Sequence, residues 1–219
     1  MNSGDRPGLI LQHGDAGPPG ILGEWLLERS LVYRAWQAPF AERKLAPLRA
    51  HNDLSRIRRV LDVGCGPGTN APHFAHADYL GIDLNERYVA DARRRHGRNF
   101  IAADVTKYRV DPSERFDFIL VNSLFHHIDD AGTRGVLAHL AGLLAEDGHV
   151  HVLDLVLPPR ASVSRQLARW DRGEYPRPLE AWRTLFEESF ETVVFEPYPL
   201  GALGVELWSM VYFKGRARR

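Results

Sequence analysis

Apolar positions along this chain change period several times, and the changes mark out its elements. Residues 1–20 are rich in glycine and proline and predict a loose arm. From Ile21 the spacing becomes helical: Leu22, Trp25, Leu26, Arg29, Leu31 and Val32 suggest one amphipathic helix, and Pro39 separates a second carried by Phe40, Leu45 and Leu48. Short apolar runs bounded by turn residues then alternate with helical stretches. Strands are predicted at Arg59–Gly64, Asp78–Asp83, Asn99–Ala103, Phe116–Asn122 and His149–Leu157. Helices are predicted near 70–76, over Glu86–His96 and over Ala131–Ala145. Phe116–Asn122 is nearly all apolar, the pattern of a strand covered on both faces. Such alternation predicts a doubly wound, mostly parallel sheet of the α/β class.

The C-terminal pattern differs. Glu191–Tyr198 and Val205–Phe213 are strand-like runs joined by a segment too short for a crossover helix, so this pair is expected to be antiparallel. Before it lies an insertion, 158–190, with Trp170, Tyr175, several prolines and a helix near Leu179–Glu188. Its position suits a cover over a site, and Trp170, Tyr175 and Trp182 are candidates for lining an apolar acceptor pocket.

Composition narrows the class. Twenty-eight basic residues balance 28 acidic ones, which argues against the basic footprint of a nucleic-acid binder. The cluster Arg93–Arg95 reads as a solvated helix face and the tail Arg216–Arg219 as a frayed end. No apolar run approaches the ~20 residues that cross a bilayer, and the first residues lack the pattern of a signal peptide. A cytoplasmic location is the default expectation, and the single Cys65 agrees with a reducing compartment.

The chemistry concentrates at Asp62–Thr69, DVGCGPGT, which follows a buried strand and opens a helix. Glycines 64, 66 and 68 let backbone approach a ligand without Cβ interference. No lysine follows the last glycine, so the loop is not a Walker phosphate loop. Its G-x-G-x-G spacing departs from the dinucleotide G-x-G-x-x-G, and Asp62 beside it would repel a pyrophosphate but suit an ammonium. Asp83 stands near the ~20-residue offset of a ribose-binding acid. Asp104 follows the third strand, where it can accept from an adenine amino group. The bland alternative for each acid is a turn or helix cap, but all three fall at the carboxyl ends of successive strands, where open α/β sheets bind ligands.

Together VLDVGCGPGT, GIDLN, AADV and FDFILVNSLFHHID resemble the class I S-adenosylmethionine-dependent methyltransferases, most of all those acting on small molecules. The resemblance covers about residues 58–157 and the terminal hairpin. It implies a Rossmann-like, seven-stranded sheet with an antiparallel last strand. The expected organisation is an N-terminal arm and helical cap over 1–57 and a methyltransferase domain over 58–219, together one structural domain. Carried over by motif, Asp62, Gly64, Gly66 and Gly68, with Cys65 between them, would cradle the methionine end of S-adenosylmethionine. Asp83 would hold the ribose, Leu84 would pack on adenine, Asp104 and Val105 would meet its ring, and Asn122 would lie beside the methionine part.

Methyl transfer needs a general base only where the acceptor must lose a proton. His126 and His127, just after the fourth strand, are the candidates, His126 preferred as nearer the strand end. The bland alternative packs one ring in the loop and uses the other to cap the next helix. Adjacent histidines lack zinc-ligand spacing, so no metal is expected. His149 and His151 alternate on one strand face and are expected half-exposed. Tyr33 and Arg34 are candidates for closing over the cofactor, Arg34 answering its carboxylate, against an ordinary amphipathic helix. The expected partner is a small-molecule acceptor, methylated at oxygen, nitrogen or carbon. The rival is a cofactor-binding regulator without activity. Asn122-Ser123-Leu124-Phe125 departs from the Asn-Pro-Pro-Tyr pattern of enzymes that methylate bases and glutamines.

Overall fold

A computed structural model describes residues 40, 42–170, 174–202 and 205–218. The chain divides into two units, Met1–Arg43 and Lys44–Arg219, and the sheet belongs wholly to the second. The predicted helix at 21–37, with Tyr33 and Arg34, lies outside the described residues. In Lys44–Arg219 a short helix α1 (Ala46–Ala50) precedes β1 (Arg59–Val63), β2 (Asp78–Asp83), α2 (Glu86–His96), β3 (Asn99–Ala102) and β4 (Phe116–Asn122). Then follow α3 (Asp130–Leu143), β5 (Leu144–Val156), α4 (Val163–Trp170), α5 (Leu179–Ser189), β6 (Phe190–Ala202) and β7 (Val205–Ala217).

The seven strands lie in the order β3-β2-β1-β4-β5-β7-β6, with β7 antiparallel to both neighbours and the other described pairs parallel. This is the expected Rossmann-like sheet. Strand order reverses between β1 and β4, so a crevice opens at the carboxyl ends of those two strands.

The period-two alternation sorts side chains into two cores. Leu61 and Val63 of β1 and Ile119 and Val121 of β4 face one side, where Val136, Leu137 and Leu140 of α3 and Trp182 and Phe186 of α5 cover them. Val60, Phe118 and Leu120 face the other, against Phe74, Tyr79 and Leu48. Each such fully buried side chain contributes roughly 1.5–3 kcal/mol by its removal from water. Leu45 and Leu48 belong to this second core, so the residues just before β1 fold with the sheet.

Local signals set the boundaries. Asn85 caps α2, its side chain accepting from Arg87 and Tyr88 N–H, and Gly97 at φ +59° ends it. Asp129, rather than a histidine, caps α3 by accepting from Gly132 N–H. The stretch expected as a helix near 70–76 is a 3-10 turn, Ala71–Phe74, with a proline in its first turn. β5 starts at Leu144, five residues before the expected His149, because Leu144 already pairs with Phe116 ahead of a bulge. His151 is a correction too: it is fully buried, stacked on Phe118 at 3.8 Å with Nδ1 2.9 Å from Tyr212 Oη. Packing covers both faces of β5 there, so alternation did not mean half-exposure.

Candidate active site

The glycine loop leaves β1 pinned to the end of β2, since Gly64 N–H and Cys65 N–H both donate to Ile82 O. Gly66, at φ +52°, turns its N–H onto Asp83 Oδ2 at 2.8 Å, and a Cβ placed there would meet nothing within 4 Å. Loop backbone is therefore bare where a ligand would lie. Gly68 differs: at φ +78°, its Cβ would fall 2.8 Å from His96 and 2.9 Å from Phe100, so the glycine serves packing. Cys65 is buried, and its desolvated thiol is pushed well above the ordinary range. Only its backbone belongs to the loop's exposed side.

Asp83 accepts from Asn85 N–H on its other oxygen, 2.8 Å away, which leaves each oxygen lone-pair capacity for a further donor. Leu84 beside it is 46% exposed, an apolar side chain left in water next to the acid. β3 pairs Ala102 with Asp83, which sets Asp104 and the buried Val105 just beyond the same sheet edge. Asp104 also performs the cap function, accepting from Thr106 N–H and Oγ1. Burial pushes its carboxyl up, but these bonds and Lys107 outweigh that and hold it below the usual range.

Asp62 is turned away from bulk solvent. It is fully buried, accepts from Tyr79 Oη at 2.5 Å, and receives both branches of an Asn70 amide contact at 3.1 and 3.3 Å. Burial pushes its carboxyl up to about 7 against those two bonds, with the nearby Asp83 charge adding to the rise. Asn70 Oδ1 in turn accepts from Asn122 Nδ2 at 3.1 Å. Asn122 Oδ1 is buried and has no donor among the described residues. The relay Asp62–Asn70–Asn122 thus ends in an unused acceptor beside the glycine loop. Sequence reading missed Asn70, although its place just after the loop was visible.

After β4 the chain makes a tight departure. Ser123 has φ +57°, accepts from Lys44 Nζ, and donates its N–H to Leu153 O. A 3-10 turn, Phe125–His127, carries both histidines, their ring centroids 4.1 Å apart. His126 is 4% exposed and His127 half-buried. His126 Nδ1 lies 2.6 Å from Oδ1 of Asp154, near the carboxyl end of β5. Arg177, 5% exposed, donates to Phe125 O and Ile128 O and pairs with Asp130, and its guanidinium lies over the Trp182 ring. Tyr175 N–H donates to His126 O. The insertion therefore grips the histidine turn. Neither Asp154 nor Arg177 was singled out from sequence, though an acid inside the apolar run VLDLV is a visible anomaly. Trp182 is core, its indole N–H on Leu155 O, whereas Tyr175 is exposed; the Trp170 side chain lies outside the described residues. A separate groove of about 440 Å³ sits at the amino edge of the strands, lined by Arg59, Asp78, Asn99 and Phe116, away from these groups.

The family described as a methyltransferase domain matches residues 60–148. A ubiquinone biosynthesis O-methyltransferase from Rhodopseudomonas palustris strain HaA2 is 31% identical over 176 residues, covering 67% of this chain and 68% of that one. This chain belongs to the S-adenosylmethionine-dependent methyltransferases. The namesake enzyme of strain TIE-1 is 32% identical, but the match spans 44% of this chain and only 40% of that enzyme's length. Among solved structures, the N-methyltransferase NodS from Bradyrhizobium japonicum WM9 in complex with S-adenosyl-L-homocysteine superposes with TM-score 0.66 at 22% identity, over 89% of this chain and 98% of that one, a likeness of fold. The methyltransferase cofactor is S-adenosylmethionine, and the residues around the loop fit it: bare backbone at Gly66, open lone pairs on Asp83, an exposed Leu84 and an unsatisfied Asn122 carbonyl. No helix among the described residues is long and apolar enough to cross a membrane.

Proposed function

We propose that this methyltransferase binds S-adenosylmethionine along the carboxyl ends of β1–β4 and methylates a small-molecule acceptor at oxygen, nitrogen or carbon. The carrying observation is the relay from Asp62 through Asn70 to the donor-less Asn122 Oδ1, an arrangement suited to an ammonium group. When bound, the cofactor supplies a methyl group on a sulfonium sulfur.

In this reading Gly64, Gly66 and Gly68 form the backbone cradle, and Asn122 accepts from the methionine ammonium. Asp62 acts one step back, fixing Asn70, and its anionic form is favoured as the cation arrives. Asp83 receives the ribose hydroxyls, Leu84 and Val105 sandwich adenine, and Asp104 accepts from its amino group. His126 is the proton acceptor where one is needed, with His127 beside it. The relatives named O-methyltransferases favour oxygen as the acceptor atom, and the even charge balance favours a small molecule over a nucleic acid.

Calorimetric titration tests the reading. S-adenosylmethionine is expected to bind at micromolar concentration while NADH and ATP do not. A folded sample that binds neither the methyl donor nor S-adenosylhomocysteine would overturn it.

A further inference from the structure

We infer that Asn70 is a positioning residue that passes the protonation state of Asp62 on to the Asn122 amide, so that the cofactor's ammonium binds with release of a proton from the protein. The inference rests on the methyltransferase reading and deepens it.

Asn70 stands where its side chain has an ordinary use that it does not take. It precedes the 3-10 turn Ala71–Phe74, where an asparagine commonly accepts from a backbone N–H of the first turn, yet it makes no such bond. The residue is 6% exposed, and its amide is committed to two other strands. Nδ2 lies 3.1 and 3.3 Å from the two oxygens of Asp62 on β1, and Oδ1 lies 3.1 Å from Asn122 Nδ2 at the end of β4. A turn boundary calls for neither contact.

Polarity runs along these three groups in one direction, and Asp62 sets it. An ionised carboxylate only accepts, so Asn70 must offer it the amide nitrogen and turn its oxygen to Asn122. Asn122 must then present its own nitrogen to Asn70, which leaves Oδ1 for the cleft, where it has no donor among the described residues. A neutral Asp62 reverses every step. Oδ2 already accepts from Tyr79 Oη at 2.5 Å, so the acid proton sits on Oδ1, facing Asn70. That O–H donates to Asn70 once the amide has turned over. Asn70 then offers its N–H to Asn122 Oδ1, and Asn122 shows an N–H group to the cleft. An ammonium meets an acceptor in the first state and a donor in the second.

The surroundings let Asp62 exchange its proton near neutrality. It is fully buried, no basic side chain pairs with it among the described residues, and the charge of Asp83 at the end of β2 opposes its ionisation. Burial outweighs the Tyr79 and Asn70 bonds and lifts the carboxyl to about 7. The other titratable groups about it keep their protons, since burial and the Asp62 charge push the Cys65 thiol and the Tyr79 hydroxyl far up. Arg98, whose guanidinium lies over the Tyr79 ring at 5.1 Å, is held by the Ala71, Phe74 and Ala77 carbonyls. A bound ammonium supplies the missing positive charge, so ionised Asp62 and the outward Asn122 oxygen are selected together, and the proton leaves for the buffer. Methyl donor and demethylated product carry the same ammonium. The linkage therefore governs occupancy of the site rather than the transfer step.

The test is calorimetric titration of the full chain with S-adenosylhomocysteine between pH 5.5 and pH 7, repeated in buffers of different ionisation enthalpy. The comparison ligand is 5′-methylthioadenosine, which keeps the adenosine and the sulfur but lacks the ammonium. For S-adenosylhomocysteine the expected result is release of about 0.7 proton per ligand at pH 6.5 and an affinity that falls roughly fivefold from pH 7 to pH 6. Methylthioadenosine should release none and bind equally at both. D62N lacks the exchangeable proton and N70L lacks the polar link. Both are expected to bind S-adenosylhomocysteine roughly tenfold more weakly at pH 7, with a flat pH profile, while methylthioadenosine affinity moves less than about threefold. If neither variant folds, the wild-type comparison of the two ligands decides. Binding of S-adenosylhomocysteine without proton release, or equal release with methylthioadenosine, overturns the inference and leaves the cofactor assignment standing. Release that persists in N70L overturns the part given to Asn70. Failure of the folded chain to bind S-adenosylhomocysteine at any pH overturns the methyltransferase reading itself.

Discussion

The glycine loop and the histidine turn lie at the carboxyl ends of neighbouring strands, yet they are held in opposite ways. Around the loop most of the bonds span short stretches of chain: Asp62 to Asn70 over 8 residues, Gly66 to Asp83 and Tyr79 to Asp62 over 17, with only the step from Asn122 to Asn70 reaching 52. Around the turn they reach far, 28 residues to Asp154 and 47–52 from Arg177 to Asp130, Ile128 and Phe125. One corner is built mainly from β1, β2 and the loop between them, with Asn122 of β4, and keeps unused acceptors. The other is assembled from distant segments with its backbone carbonyls filled. The contrast separates a binding surface that awaits a ligand from a device whose geometry is completed by the fold.

If the contrast is sound, damage to one corner leaves the other standing. The largest effect is expected from Arg177→Ala, which strips donors from two buried carbonyls and removes the cation over Trp182. The loss should be about 3–4 kcal/mol of stability, a fall in Tm of roughly 10 °C, measured by calorimetric melting. S-adenosylmethionine affinity should move less than about threefold; a large loss would show the corners to be coupled.

Asp83→Ala attacks the other corner. Loss of two charge-assisted bonds to ribose hydroxyls is expected to weaken cofactor binding by about 3 kcal/mol, roughly 100-fold in Kd, while loss of the Gly66 and Asn85 N–H bonds lowers the melting temperature by less than Arg177→Ala does. Equal affinity in the variant would remove the ribose assignment. Gly66→Ala and Gly68→Ala sharpen the same point. Both incur about 1–2 kcal/mol for a side chain at positive φ, but only Gly68→Ala adds a clash with His96 and Phe100. Gly68→Ala should therefore be the less stable of the two, and Gly66→Ala should lose affinity out of proportion to its small change in Tm.

The smallest effect concerns pH. The Asp62 carboxyl sits at about 7 in the fold, against an ordinary value of 3.8. Between those values the unfolded chain ionises where the native one keeps its proton, so stability falls as pH rises through that window and levels off above it. Asp104 and Asp154, held low, contribute the opposite slope, lost only under more acid conditions. Denaturant unfolding of Asp62→Asn at pH 5 and pH 8 should show the decline between them reduced; an unchanged decline would place its origin elsewhere.

What the sequence disclosed follows the same division. The period of Phe116–Asn122 and the glycine spacing act through neighbours in the chain, so the strands and the loop could be read from them. The antiparallel end was legible because a short connection leaves no other choice. The buried environment of His151 and the partner of His126 were not legible. Both depend on which strand lies alongside β5, and nothing near those residues encodes it. Asp62 lay between: its presence was readable, but the Tyr79 and Asn70 groups that enclose it come with the tertiary fold.

The ends of the sheet bear on how this protein survives being made. A strand at a border offers a row of free amides to any passing chain, and a long one invites stacking into fibres. β3 is only four residues long. β6 is thirteen, but Pro197 and Pro199, paired with Val211 and Ser209 of β7, stand two residues apart and so blank consecutive donor positions on the same outer side. Glu191 and Glu196 on the same strand add charge. Replacing both prolines with valine would leave the catalytic geometry untouched and open the border to cross-chain pairing, trading solubility for nothing the chemistry uses.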